Sequence, residues 1–233
     1  MRTLVLWDVD HTLVSIKGLT REIYGGVLLS LTGVELATMA VMGGRTERAI
    51  ITDVLRVHGL EVDAELVEAV AEAVSREYVV RSAEIAGRGF VREGAREVLG
   101  VLAGRGDVVQ SLLTGNTEAI ARTKLGAFGL AEFVDFSVGA YGMDDLDRPP
   151  LVKLARERAA AKYGEMFDEE STVLIGDTLD DVRAGREGGA RVVGVATGTS
   201  TVDELKRAGA DHVLADLSDT ATTVRAVLDL SGP

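Results

Sequence analysis

Apolar residues in this chain collect in short unbroken runs rather than in strict alternation. Residues 3–7 (Thr-Leu-Val-Leu-Trp) form the first, and similar runs follow at 107–113, 172–175, 191–195 and 212–214. Unbroken runs of this length predict strands covered on both faces, as in a parallel sheet. Between them the pattern takes on a helical period, over residues 94–103, 117–128, 149–163, 180–188 and 202–208. Strand and helix alternate from about residue 91 onward. That order predicts an α/β fold with a doubly wound, mostly parallel sheet.

Residues 15–90 interrupt the alternation with helical periods and no strand signal. Ile50, Ile51, Val54 and Leu55 make one apolar stripe behind a candidate N-cap at Thr46. Asp63 reads as a second N-cap, opening a long helix with Leu66, Val67, Val70 and Val74 turned inward. The expected organisation is therefore an α/β core formed by residues 1–14 and 91–233, with residues 15–90 inserted as a helical cap. An insert that follows directly on the first strand is placed to act as a lid over whatever that strand presents. Pro149-Pro150 predicts a loop entering a helix at its first turn, where a missing N–H costs nothing.

Composition narrows the function classes. The 233 residues are 46% hydrophobic and 27% charged, as in ordinary globular proteins, with no cysteine. Disulfides, thiolate metal sites and a cysteine nucleophile are thereby excluded. The formal net charge of −12 speaks against nucleic acid or an anionic membrane surface as partner. No run of about 18 apolar residues predicts a membrane span. Asp8 interrupts the N-terminal run too early for a signal-peptide core. The expectation is a cytoplasmic protein, monomer or homodimer.

In doubly wound sheets, ligands bind beyond the carboxyl ends of the strands. The residues placed there are Asp8 and Asp10 after the first strand, Thr114, Gly115 and Asn116 after the second, and Asp177, Asp180 and Asp181 after the third. Clustered carboxylates raise one another's pKa unless a cation neutralises them. An all-oxygen donor set suits a hard divalent ion such as Mg²⁺, with Asp8 and Asp177 as direct ligands and Asp10 offering its backbone carbonyl. Carboxylates at i and i+2 can serve one reacting centre in two roles, a nucleophile and a general acid that then turns base. Thr114 and the neighbouring backbone N–H groups of Gly115 and Asn116 suit phosphoryl oxygens. Asp180 reads as a first-turn helix residue that complements the dipole.

Asp8-Val-Asp10-His-Thr12-Leu13 resembles the first motif (DxDxT) of the haloacid-dehalogenase-like (HAD) hydrolases. Leu113-Thr114-Gly115-Asn116 resembles their second motif, and Gly176-Asp177-Thr-Leu-Asp-Asp181 their fourth (GDxxxD). The resemblance spans the chain, because that family also places an insert between its first two motifs; a helical one is its C1-type cap. It is closest to capped members such as phosphoglycolate phosphatases. It implies Asp8 as the nucleophile that forms an aspartyl-phosphate and Asp10 as the acid/base. It implies Thr114 on the phosphoryl group, and Asp8, Asp177 and the Asp10 carbonyl on Mg²⁺. Asp181 would support the metal's water shell or the cationic residue.

The family's third motif, a Lys or Arg usually followed by Pro-x-Pro, is altered here to Arg148-Pro149-Pro150, with Lys153 beyond. Positions five apart on a helix lie about 140° apart, so the two cations cannot both face one phosphate. Arg148, in the proline context and able to bind phosphate bidentately, is the favoured one. Arg45, in the loop Gly43-Gly44-Arg45-Thr46 of the insert, resembles a cap arginine of related phosphatases and equally suits a solvated loop. His11 stands where the family usually has glycine. Its side chain sits beside the nucleophile loop, where it can contact substrate, tune Asp10 or point into the cap hinge. His58 and His212 read as structural. The expected activity is Mg²⁺-dependent hydrolysis of a small phosphorylated metabolite. A phosphomutase, a haloacid dehalogenase and a non-catalytic phospho-accepting signalling module are the other readings of the frame.

Overall fold

The apolar runs at 3–7, 107–113, 172–175, 191–195 and 212–214 become the strands of one parallel sheet in the computed structural model, which describes residues 2–230. In chain order the elements are β1 (Thr3–Trp7), β2 (Val14–Ile16), α1 (Leu19–Thr32), α2 (Glu47–Val57), α3 (Ala64–Val80), α4 (Ser82–Arg88), β3 (Gly89–Val91), α5 (Ala95–Ala103), β4 (Val108–Leu112) and α6 (Glu118–Ala127). They continue with α7 (Pro149–Tyr163), β5 (Thr172–Gly176), α8 (Leu179–Gly188), β6 (Arg191–Val195), α9 (Val202–Ala208), β7 (His212–Leu214) and α10 (Thr220–Leu230). The sheet order is β4-β1-β5-β6-β7. The connection from β1 runs to one neighbour and the chain then crosses to the other, which puts the switch point at the tip of β1.

Both faces of the sheet are covered, and this accounts for the unbroken apolar character of β1. Val5 and Trp7 pack into a core with Val98, Leu99 and Leu102 of α5. Leu4 and Leu6 face the opposite way, into a core with Leu151, Val152 and Ala155 of α7. Alternate side chains of one strand thus reach two separate cores. No helix among the described residues is long and apolar enough to cross a membrane.

The helices between β2 and β3 share a core of their own. Leu19 and Ile23 of α1, Ile51 and Leu55 of α2, and Val67, Val70 and Val74 of α3 meet there, joined by Ile120 from α6. Thr46 and Asp63 cap α2 and α3 as expected, their side chains accepting from the N–H groups of Ala49 and Leu66. The insert is not wholly without strands. β2 and β3 pair antiparallel, Val14 with Val91 and Ile16 with Gly89, at the two points where the chain leaves and re-enters the sheet region. Three residues give no period to read, so periodicity alone passes over them.

Candidate active site

The pairing register brings the chemistry-bearing residues to one level. Trp7 lies opposite both Leu112 and Ile175, so β1, β4 and β5 end together. Asp8 directly follows β1, Asp177 directly follows β5, and Thr114 follows β4 with Leu113 between. Asp8 is fixed by its own backbone, whose N–H donates to the Ile175 carbonyl at 2.9 Å.

Carboxylate oxygens of Asp8, Asp177 and Asp181 all lie within 4.8 Å of one another, and all three residues are buried. One guanidinium stands among them. Arg148 donates to Asp8 Oδ1 at 3.2 Å and to the Leu113 carbonyl at 3.2 Å, and pairs with Asp181 Oδ1 at 2.5 Å. Thr12 donates to Asp177 Oδ1 at 3.0 Å. Burial, with repulsion from Asp181, pushes the Asp8 carboxyl up to about 7 even against Arg148. Burial, with repulsion from Asp8 and Asp181, pushes Asp177 up to about 8. One cation therefore does not neutralise this cluster.

The cluster fits a hard divalent cation, because its donors are all oxygen and carry unbalanced negative charge. The three carboxylates are not equally placed to bind one. Asp181 has Oδ1 against Arg148, and its Oδ2 accepts from the backbone N–H and hydroxyl of Thr178 at 2.9 and 2.6 Å. Those Thr178 contacts are half of a capping box that starts α8. Asp177 Oδ2 has no such partner among the described residues.

A second polar group surrounds Asp10, and its key member was not singled out from the sequence. Lys124, 4% exposed, donates from Nζ to Asp10 Oδ1 and Oδ2 at 2.8 and 2.6 Å and to Asn116 Oδ1 at 2.8 Å. The Asn116 amide donates in turn to Asp10 Oδ2 at 2.8 Å and to Thr114 Oγ1 at 2.9 Å. The Asn116 side chain thus ties Asp10 to Thr114. Burial works against the Asp10 carboxylate, but Lys124 and Asn116 hold it below its usual value. Burial also opposes the Lys124 ammonium, yet Asp10 and Tyr78 hold it above an ordinary lysine. A signal was available: Lys124 falls on the same helix face as Ile120, Ala121 and Leu125, where a lysine needs a buried partner.

Lys153 does not reach the site. It sits on the outer side of α7 with its side chain 78% exposed, 3.8 Å from Glu157 one turn on. Arg148, at the start of the same helix, is buried. Helical geometry separates the two candidates, as the spacing of five implies. Asp180 also lies apart from the cluster, against Arg183. His58 caps the end of α2 and accepts from the Ala37 N–H at 2.9 Å, and His212 is exposed.

A cavity of about 250 Å³ lies above Asp8, with Asp10, Thr114 and Arg148 on the sheet side and Arg45 and Glu47 on the insert side. Arg45 borders it while pairing with Asp53 at 2.8 Å. His11 also borders it, with its ring Nδ1 3.2 Å from Ser15 Oγ. His11 has φ of 65°, a left-handed turn that glycine would adopt without strain.

The insert meets the sheet side through backbone groups. The N–H of Glu47 donates to the Gly115 carbonyl at 2.8 Å, and that of Arg48 to the Gly142 carbonyl at 2.9 Å. A Cβ on Gly115 would overlap the Arg45 carbonyl, and one on Gly142 would overlap the Gly115 carbonyl. Both positions therefore need glycine for close approach rather than for turning.

Comparison with known proteins gives a consistent picture. Residues 149–220 match a family model described as HAD-hydrolase-like. The chain is 30% identical over 240 residues to the probable phosphatase IndB of Dickeya dadantii, covering 99% of this chain and 97% of that protein. Among solved structures, a hydrolase from Pseudomonas syringae is similar at 23% identity with a TM-score of 0.65, covering 97% of this chain and 99% of that one. A predicted phosphoglycolate phosphatase from Haemophilus somnus is similar at 16% identity with a TM-score of 0.68, covering 96% and 98%. At these identities the solved structures speak to the fold.

Proposed function

The chain belongs to the HAD-like hydrolases, and from that membership we propose that it is a Mg²⁺-dependent phosphatase working through an aspartyl-phosphate on Asp8. The observation that carries this reading is the buried Asp8–Asp177–Asp181 cluster with Arg148 at the switch point of the sheet. The likeness to a probable phosphatase over nearly the whole chain supports it. In this reading residues 1–14 and 91–233 are the core and residues 15–90 the cap, with the β2–β3 pair as the stem between them.

Asp8 attacks phosphorus with a carboxylate oxygen, and the bond from phosphorus to the leaving oxygen breaks. Asp10 serves the leaving oxygen and then the water that opens the acyl-phosphate. Because Lys124 and Asn116 hold its carboxyl below the usual range, it takes up a proton from solvent before it gives one to the leaving oxygen, and takes one from the water afterwards. Thr114 and the Gly115 N–H bind phosphoryl oxygens. Arg148 balances their charge while keeping Asp8 aimed. Asp181 acts on Arg148 rather than on substrate. Asp8, Asp177 and the Asp10 carbonyl would hold Mg²⁺, which supplies Lewis-acid charge to the transferring group. Phosphate-monoester hydrolysis is among the slowest uncatalysed reactions, which is why a covalent step and several cations converge here.

The test is phosphate release from a panel of small phosphomonoesters by the purified chain. Release that requires Mg²⁺ and stops with EDTA is the expected result; activity that survives EDTA would instead favour dehalogenase-type chemistry. A stable phospho-Asp8 without turnover would favour a signalling module.

Lys124 enters this mechanism as a positioning residue. Lys124→Met keeps the helical propensity and the buried length but removes all three hydrogen bonds to Asp10 and Asn116. Positioned proton transfer contributes about 10²–10⁴ in rate, so kcat is expected to fall by about 10² or more. KM should change far less. Steady-state kinetics separates the two, and a loss confined to KM would remove Lys124 from the chemistry.

A further inference from the structure

The insert side of the cavity carries a buried carboxylate and no uncommitted buried cation. Glu47, 5% exposed, opens α2 and lines the cavity. Its Oε1 accepts from the Tyr24 hydroxyl at 2.5 Å. Its Oε2 makes no hydrogen bond among the described residues. Beside it the hydroxyls of Thr20 and Tyr78 pair at 2.5 Å, both also on the cavity wall.

The nearest buried cation is already committed. A lysine ammonium has three donors, and Lys124 directs them to the two Asp10 oxygens and Asn116. Arg45 is paired with Asp53 and about a third exposed, so solvent screens it. A second anionic group on a substrate would therefore meet Glu47 and Asp10 with no buried cation free to balance it, only the one hydroxyl proton that the Thr20–Tyr78 pair leaves over. A hydroxyl meets a different wall. It can donate to Glu47 Oε2, which no protein group satisfies, while Ile16, Ile50 and Ile120 pack against its carbon skeleton.

We propose that Glu47, oriented by Tyr24, reads a hydroxyl on the leaving group, so that the substrates are phosphomonoesters of uncharged, hydroxyl-bearing alcohols, of the polyol or sugar class. Carboxylate-bearing phosphomonoesters are refused at the same place. The proposal rests on the phosphatase reading above and adds to it the chemistry of the alcohol. The cavity volume of about 250 Å³ keeps that alcohol small. Burial holds the Glu47 carboxyl up to about 7 against the pull of Tyr24 and Lys124, so its discrimination against anions is strongest above pH 7, where it is ionised.

The experiment compares kcat/KM of the full chain with Mg²⁺ on three kinds of substrate. These are glycerol and sugar phosphates, 2-phosphoglycolate and 3-phosphoglycerate, and p-nitrophenyl phosphate, which carries neither aliphatic hydroxyl nor carboxylate. The wild-type chain is expected to favour at least one hydroxylated substrate over both carboxylated ones by tenfold or more. Glu47→Gln, which keeps the shape and removes the charge, should narrow that gap at least tenfold. Tyr24→Phe, a second and independent variant, should lower kcat/KM on the hydroxylated substrate more than on p-nitrophenyl phosphate. A wild-type preference for the carboxylated substrates overturns the proposal. So does an unchanged ratio in a folded Glu47→Gln protein. No turnover of any substrate, p-nitrophenyl phosphate included, overturns the phosphatase reading itself and the proposal with it.

Discussion

Asp8→Asn is expected to reduce phosphate release by about 10⁴-fold or more, because losing a nucleophile removes the covalent route and not one contact among several. The fold should survive. Asn is nearly isosteric, and the Asp8 N–H that anchors the strand end to Ile175 belongs to the backbone. The variant also takes one negative charge out of a buried group of three that faces a single guanidinium. Without metal it should therefore melt no lower than the wild type. Added Mg²⁺ stabilises whatever binds it in the folded state, so it should raise the wild-type melting temperature and raise that of Asp8→Asn less. Kinetics and thermal melts with and without Mg²⁺ check both halves. Substantial turnover by Asp8→Asn would displace Asp8 from the nucleophile's role.

Arg148→Ala is expected to cost both activity and stability. Arg148 is buried, as are its partners Asp8 and Asp181. Removing one member of a buried ion pair leaves uncompensated charge and typically costs about 3–5 kcal/mol. For a chain of this size that lowers the melting temperature by roughly 6–20 °C. The loss of a preorganised donor on the phosphoryl group should take about 10²–10³ from kcat as well. Arg148→Lys should rescue part of this, since Asp8, Asp181 and the Leu113 carbonyl are all met by the one nitrogen Nη2 and an ammonium keeps the charge and three donors. Lys153→Ala is the control on the same helix. Its side chain is solvated, and neither the melting temperature nor kcat should move. The reverse pattern, with Lys153 essential and Arg148 dispensable, would overturn this assignment of the cation.

Much of the architecture was legible because its signals are local and redundant. β1 is apolar on both faces, and β5 and β6 nearly so, which announces a covered parallel sheet. Thr46 and Asp63 announce helix starts because a side-chain oxygen ahead of an apolar stripe has an N–H to accept from. Asp8, Thr114 and Asp177 follow once the strand ends are known, since a doubly wound sheet collects its strand tips on one edge. The rest was hidden for physical reasons. β2 and β3 are too short for a period, and each is defined by its partner about 75 residues away in sequence. Lys124 was passed over because lysine on a helix is expected in solvent, and only Asp10, brought close by the fold, makes its burial sensible. The Asn116 backbone N–H, expected on a phosphate, points to Thr114 Oγ1 at 3.3 Å, while its side chain joins Asp10, Thr114 and Lys124, contacts that only the fold brings together. His11 was visible as an oddity, but its left-handed backbone was not.

At Gly115 and Gly142 the seam between the insert and the sheet is made from amides and carbonyls, with the Arg48 guanidinium donating to the neighbouring Met143 carbonyl. Main-chain dipoles in close contact are barely touched by a counterion atmosphere, which acts on net charges across distances of about 8 Å at physiological ionic strength. The two halves of the cavity are therefore held in register by a contact that electrolyte does not loosen. Ions in the surrounding medium act on the surface pairs of the insert, such as Arg88 with Glu22, and leave the main-chain contacts at Gly115 and Gly142 where they are.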